Sequence, residues 1–203
     1  MLVIINYGLG NLASVLNMIH KIGGNAKISR DPNEMLDASK LILPGVGSFD
    51  YGITQLHSYG FSAIIQKMTS KGIPILGICL GMQLLGNRSE EGQLEGLRLM
   101  DAEFKRFSFK DNSAKLHIPH VGWNYVSVVK ENPLLPNYGS EQRFYFTHSY
   151  HAVCAKETDV LATTTYGYPF TCAYCRDNIF GVQFHPEKSH RFGMAMMKRF
   201  MEL

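Results

Sequence analysis

The sequence predicts an α/β fold with a mostly parallel central sheet, helices on both of its faces and an antiparallel β extension. The first half alternates short apolar runs of strand length with segments whose apolar residues recur at helical spacing, the pattern of a parallel sheet covered by helices. The first run, Leu2 to Asn6, is almost wholly apolar, as a strand buried on both faces requires. The second half carries closely spaced β-like stretches with turn residues between them, which suit antiparallel hairpins added to that sheet.

After the first strand, Leu12, Val15, Leu16, Ile19 and Ile22 share one helix face, with Asn11 placed to cap the start and Gly23-Gly24 to close the end. Asn25 to Ser29 reads as a second, weaker strand, and Asp31-Pro32 opens a short helix through Leu36. Lys40 to Leu43 is the third strand and runs into Pro44-Gly45-Val46-Gly47. Helices are expected over Phe49 to Leu56 and Phe61 to Met68, and a strand over 74–78. Leu97 to Phe109, Val121 to Lys130, Arg143 to Tyr150, Val160 to Thr165, Thr171 to Arg176 and Ile179 to Phe184 are β-like, and Asp177-Asn178 suits a hairpin turn. Phe192, Met196, Phe200 and Leu203 mark one face of a closing helix, with Ser189 as its expected cap.

At 203 residues, 45% hydrophobic and 18% charged, the chain has the make-up of a globular protein and not of a disordered one. No repeat, low-complexity tract or linker interrupts it, so residues 1–203 are expected to form a single domain. The net charge of +3 comes from 20 basic and 17 acidic residues that are interspersed, which leaves no basic footprint for nucleic acid. No apolar stretch reaches the roughly 18 residues that cross a bilayer, and no basic segment precedes the short apolar N-terminus, so no membrane association is expected. Four cysteines without a dense framework suit a reducing compartment, and a cytoplasmic location is expected.

The chemistry centres on Gly77-Ile78-Cys79-Leu80-Gly81. Two glycines flank a reactive residue where a strand gives way to a helix, the mark of a nucleophile elbow. The glycines allow a tight turn, and free backbone N–H groups at the start of the helix favour a thiolate. A buried cysteine serving as a small hydrophobe is the plainer alternative. Gln183-Phe184-His185-Pro186-Glu187 supplies the second feature. On extended backbone His185 and Glu187, two apart, face the same way, which suits a base and the carboxylate that orients it. Gly45, Val46 and Gly47, at the end of the third strand, can turn backbone N–H groups toward a developing oxyanion.

Other motifs weigh less. Gly8-x-Gly10 with Asp31 resembles a loose dinucleotide fingerprint, but the glycine pattern is common and the acid immediately precedes Pro32. Cys172-x-x-Cys175 has no second ligand pair at zinc spacing, and the pairs His117/His120 and His148/His151 stand in separate segments without an acidic cluster. Neither metal nor cofactor is expected.

Gly-Ile-Cys-Leu-Gly-Met-Gln at 77–83, Pro-Gly-Val-Gly at 44–47 and Phe-His-Pro-Glu-Lys-Ser at 184–189 resemble the class I (triad) glutamine amidotransferases, whose fold is flavodoxin-like. Pro-His-Val-Gly-Trp-Asn at 119–124, Phe-Tyr-Phe-Thr-His-Ser-Tyr at 144–150 and Tyr-Gly-Leu-Gly-Asn at 7–11 are similar to the glutaminase subunits of imidazole glycerol phosphate synthases. The resemblance implies that Cys79 attacks the side-chain amide of L-glutamine, with His185 as base and Glu187 orienting it. It implies oxyanion donors at Leu80 and in the Gly45–Val46–Gly47 turn, and substrate contacts at Gln83, His148, Ser149 and Tyr150. It further implies a (β/α)8-barrel synthase partner that receives the ammonia and forms imidazole glycerol phosphate and AICAR in histidine biosynthesis. Asn11, Trp123, Tyr145 and Lys188 would lie at that interface. In the family the subunit alone is poorly active, and the partner's ligand organises the oxyanion turn.

Arg-Phe-Tyr-Phe-Thr-His-Ser-Tyr-His and Lys-Ser-His-Arg-Phe-Gly also resemble paralogues that feed the amidation of surface-polysaccharide sugars. More distant alternatives are a γ-glutamyl peptide hydrolase on the same elbow and a nucleotide-binding module using Gly8 and Gly10.

Overall fold

The computed structural model describes residues 1–109, 116–135 and 142–203. Its parallel half contains β1 (Leu2–Ile5), α1 (Leu12–Lys21), β2 (Ala26–Ser29), β3 (Lys40–Gly45), α2 (Phe49–Ser58), α3 (Phe61–Ser70), β4 (Ile75–Cys79) and α4 (Leu80–Leu85). Then come β5 (Arg88–Ser89), β6 (Ala102–Arg106), β7 (His120–Val128), β8 (Gln142–His148), β9 (Tyr150–Cys154), β10 (Val160–Tyr166), β11 (Tyr168–Arg176), β12 (Ile179–Val182) and α5 (His190–Glu202).

The main sheet runs β2-β1-β3-β4-β12-β11-β10-β7-β8. β2, β1, β3, β4 and β12 are parallel, and from β11 outward the pairing is antiparallel. β9 crosses from β11 to β6, and β6 pairs with β5.

Two cores explain the apolar strands. Leu2, Ile4, Ile42, Leu76 and Ile78 face one core with Val15 and Ile19 of α1 and Met196, Met197 and Phe200 of α5. Val3, Ile5, Leu41, Leu43 and Ile75 face the other, against α2, α3 and α4. Successive strand residues point to opposite faces, so a sheet covered on both sides demands an unbroken apolar run. Each fully buried side chain of this size contributes about 1.5–3 kcal/mol.

Several elements differ from the sequence expectation. Only Ala102–Arg106 of the stretch from Leu97 to Phe109 is a strand. Leu97, Leu99 and Met100 instead donate their backbone N–H groups to the carbonyls of Leu84 and Leu85, satisfying the open C-terminal end of α4. The strand expected from Arg143 to Tyr150 breaks at Ser149, and β9 begins beyond it. The short helix after Asp31 is a 3-10 turn, Pro32–Met35, capped by the Asp31 carboxylate, which accepts from Asn33 N–H. Asn11 and Ser189 do not cap their helices through side chains. The Ser189 hydroxyl accepts from Tyr145 N–H and donates to the His185 carbonyl, so it staples the segment after β12 onto β8.

Candidate active site

β4 runs straight into α4 with Cys79 at the corner, at φ 54° and ψ −111°. A non-glycine residue pays about 1–3 kcal/mol to sit in such a region, and close packing on every side holds it there. A Cβ on Gly81 would lie 1.7 Å from the Leu43 carbonyl oxygen, and one on Gly77 would lie 2.7 Å from the Gly81 oxygen and Met82 nitrogen. Both positions therefore require glycine. Gly45, opposite Cys79 in the β3–β4 ladder, is equally confined, since a Cβ there would stand 2.5 Å from the Tyr7 hydroxyl.

His185 arrives from the far side, just after β12. Its Nδ1 lies 2.8 Å from Glu187 Oε1, and both side chains are almost wholly buried. The backbone between them is not extended, because Pro186–Lys188 forms a 3-10 turn. The pair thus meets through a tight turn and not through the strand alternation the sequence suggested. Burial alone lowers the basicity of His185, but Cys79 and Glu187 outweigh it and push the imidazole up to about 10. His185 Nε2, the nitrogen left for a thiol proton, makes no hydrogen bond among the described residues. Cys79 Sγ contacts the Thr147 carbonyl at 3.9 Å and Gln183 Nε2 at 3.7 Å.

These groups open onto a cavity of about 400 Å³ lined by Val46, Gly47, Cys79, Leu80, Gln83, Glu91, Pro119, Thr147, His148, Ser149, Tyr150 and His185. That volume is at the small end for sites that take small molecules. The structure brings most of the sequence candidates together here. Gly45 lies beneath the lining, in the ladder with Cys79. Gly47 has φ +112°, and Val46 beside it is 44% exposed. The Gln83 side chain donates to Gln183 Oε1 at 3.3 Å. His148 is buried and pushed down to about 3, chiefly by burial.

Three polar site residues escaped the sequence reading. Glu91 follows β5 in an irregular segment. Its Oε2 accepts from Phe49 N–H at 2.8 Å at the start of α2, directly after the Gly47 turn. Burial raises its carboxyl above the ordinary value, and the charge of Asp50 adds to the rise against that hydrogen bond. Gln183 contacts the thiol, and Thr147 offers its carbonyl. Gln183 had a signal in its place in the strand leading to His185, and Thr147 in its place within the 144–150 motif.

Trp123, Tyr145 and Lys188 form one surface group. The Trp123 ring lies 6.2 Å from Tyr145 and stacks at 5.5 Å on His190, and Lys188 Nζ stands 5.5 Å over Tyr145. Asn11 is exposed on another element, ahead of α1. The weaker motifs have other partners: a Cβ on Gly10 would lie 3.2 Å from Pro44, and Asp31 caps its 3-10 turn. Cys172 and Cys175 are free thiols, both pushed up by burial. Among the described residues no helix is long and apolar enough to cross a membrane, and no three or more His, Cys, Asp or Glu side chains gather as metal ligands.

The family model for class-I glutamine amidotransferases matches residues 3–203. The chain is 50% identical over 203 residues to imidazole glycerol phosphate synthase subunit HisH 2 of Methanococcus maripaludis, covering 100% of this chain and 99% of that one. It is 47% identical over 204 residues to the subunit of the same name from Pseudomonas aeruginosa, with both chains covered completely. Among solved structures, one described as a glutamine amidotransferase aligns with a TM-score of 0.75 and 18% identity, over 98% of this chain and 97% of that one, a likeness of fold.

Proposed function

The chain belongs to the class I glutamine amidotransferases, and from that membership we propose that it is the glutaminase subunit of an imidazole glycerol phosphate synthase. The observation that carries the proposal is the meeting of Cys79 and the His185–Glu187 pair at one cavity, walled by Gln83 and the 147–150 segment. The high identity to two subunits of that name, over their whole lengths, supports the choice within the family.

The residues assign the steps. Glu187 holds His185 Nδ1 as a donor and leaves Nε2 to take the Cys79 proton. The sulfur attacks the carboxamide carbon of L-glutamine. Backbone N–H groups of Leu80 and the Gly45–Val46–Gly47 turn receive the oxyanion, each typically worth a few kcal/mol. His185 returns its proton to the departing ammonia, which leaves a thioester between Cys79 and the glutamyl group. Water, deprotonated by His185, adds to the thioester carbon, and glutamate leaves as the sulfur takes its proton back. Glu91 presents a carboxylate to the same cavity, a match for the substrate α-ammonium group.

Ammonia then passes to a (β/α)8-barrel synthase partner. Trp123, Tyr145 and Lys188 form its docking face, and Asn11, exposed ahead of α1, is assigned to the same interface. Cys79→Ala tests the core of the proposal. With the barrel partner present, glutamate release is expected to fall by at least about 10⁴-fold, on the scale of other nucleophile deletions. Undiminished release would remove Cys79 from that role.

A further inference from the structure

Behind the cavity wall, His120 of β7 stands directly opposite His148 of β8. His120 Nδ1 lies 3.0 Å from His148 Nε2, and His148 Nδ1 lies 2.8 Å from the Tyr150 carbonyl oxygen. At the other end Asn124 Nδ2 is 2.8 Å from the Thr165 carbonyl and 3.4 Å from His120 Nε2. Both rings are almost wholly buried. His120 is sandwiched between Phe146 at 4.9 Å and Tyr166 at 4.1 Å, and Phe107 packs on both histidines.

The carbonyls at the two ends fix every proton between them. A carbonyl only accepts, so His148 Nδ1 must carry its hydrogen, and in a neutral ring Nε2 is then a lone pair. His120 Nδ1 must donate to that lone pair, which leaves His120 Nε2 as an acceptor. Asn124 must turn its amide nitrogen toward Thr165, and its second hydrogen meets His120 Nε2. Each histidine has one tautomer that satisfies all its neighbours. The opposite choice would set two lone pairs face to face 3.0 Å apart in a buried site. Burial keeps both rings neutral, His120 near 4 and His148 near 3.

We propose that Asn124 and His120 are positioning residues that lock His148 in its Nδ1–H tautomer and so hold the 147–150 backbone in the shape that receives glutamine. Both nitrogens of His148 are committed within this chain of bonds, so its side chain braces the pocket that the residue lines. The brace acts at the break between β8 and β9, where Thr147 O meets the Cys79 sulfur and Ser149 and Tyr150 line the cavity. Asn124 faces inward on β7, on the opposite side of the strand from the exposed Trp123 and Tyr125, so the chain of bonds lies wholly on the inner face.

The inference rests on the glutaminase reading for its consequence but not for its geometry, and the tests separate the two. Long-range ¹H–¹⁵N spectra of the ¹⁵N-histidine-labelled chain are expected to show both His120 and His148 as Nδ1–H tautomers between pH 6 and 8. Either ring appearing as Nε2–H, or protonated, overturns the relay, and this measurement needs no variant. The consequence is read from two variants. His120→Asn places an amide donor where Nδ1 stands, whereas His120→Phe keeps a stacking ring without a donor. Alkylation of Cys79 by the glutamine analogue 6-diazo-5-oxo-L-norleucine is measured relative to alkylation by iodoacetamide, which needs no pocket. His120→Phe is expected to lower that ratio about tenfold, as for one lost buried hydrogen bond, and His120→Asn to stay within about threefold of the unsubstituted chain. Equal loss in both variants, or loss in neither, overturns the positioning role. With the proposed barrel partner and its ligand present in every sample, an unsubstituted chain that iodoacetamide labels and the analogue does not would count against the glutaminase reading, with the tautomers still deciding the relay.

Discussion

The cavity has two walls built by opposite means. On the side of Cys79, backbone meets backbone: β3, β4 and the start of α4 pack so closely that Gly77, Gly81 and Gly45 have no room for a Cβ, and Cys79, the proposed nucleophile, sits at φ 54°. On the side of His148, β7 and β8 form an ordinary antiparallel ribbon. Shape there comes from side-chain bonds among Asn124, His120 and His148. The histidines differ accordingly. His185, facing a thiol and a carboxylate, is pushed up to about 10, and His148, buried and without a carboxylate partner, is pushed down to about 3, chiefly by burial. A reactive residue is aimed by strain that the whole core must sustain, whereas a substrate wall can be set by a few bonds that one substitution removes.

The largest expected effect tests that contrast through glycine. Gly81→Ala places a Cβ 1.7 Å from the Leu43 oxygen, so β3 must part from α4. Gly122→Ala, on the ribbon, meets nothing within 4 Å and bears only the strain of φ +128°. Gly81→Ala is expected to lose more than about 3 kcal/mol of stability or fail to fold, and Gly122→Ala about 1–2 kcal/mol. Urea titration measures both. Equal losses would erase the distinction between the walls.

Glu187→Gln probes the electrostatic half of the contrast. Without the carboxylate, burial gains on the charged imidazole, and His185 moves down toward the behaviour of His148. Turnover of glutamine is expected to fall by on the order of 10²–10⁴, as when an orienting acid is neutralised in other triads. Stability carries a matching sign. A folded-state pKa above the unfolded value near 6.5 stabilises the fold fully below 6.5, and the contribution is lost as pH rises through about 10. The stability gap between the unsubstituted chain and Glu187→Gln is therefore expected to be widest at about pH 5–6.5 and to narrow toward pH 10. A gap independent of pH would mean that Glu187 does not set the basicity of His185.

The elbow wall was legible in the sequence because its cause is local: two glycines and a cysteine lie within five consecutive residues at the end of an apolar run. The buried strands were legible for the same reason, since two-sided burial writes itself as continuous apolar sequence. The His185–Glu187 contact was foreseen with the wrong backbone, because Pro186 folds the segment into a 3-10 turn where alternation along a strand had been expected. The ribbon wall was largely illegible. His120 and His148 stand 28 positions apart, and only the β7–β8 register makes them partners, so as sequence they read as unrelated histidines. Glu91 was hidden because an irregular segment has no periodicity to mark which way a side chain faces.

Trp123→Ala carries the smallest effect on the chain alone and the sharpest one on its assembly. Trp123 is 43% exposed on the outer side of the ribbon, and Val121 and Tyr125, two residues away on either side, are 56% and 53% exposed. The opposite face of the same strand holds buried Val126 and the His120 relay. Removing the indole takes away only its ring contacts with Tyr145 and His190 and its place under the Arg143 guanidinium, so stability is expected to change by no more than about 1 kcal/mol. A large aromatic at the centre of a docking face contributes about 2 kcal/mol or more to association. Calorimetric titration with the proposed barrel partner is therefore expected to show affinity reduced by at least roughly thirtyfold, with the His148 tautomer unchanged in the free chain. Unaltered affinity would place the docking face elsewhere. A shifted His148 tautomer in the free variant would mean that the outer and inner faces of β7 are coupled before any partner binds.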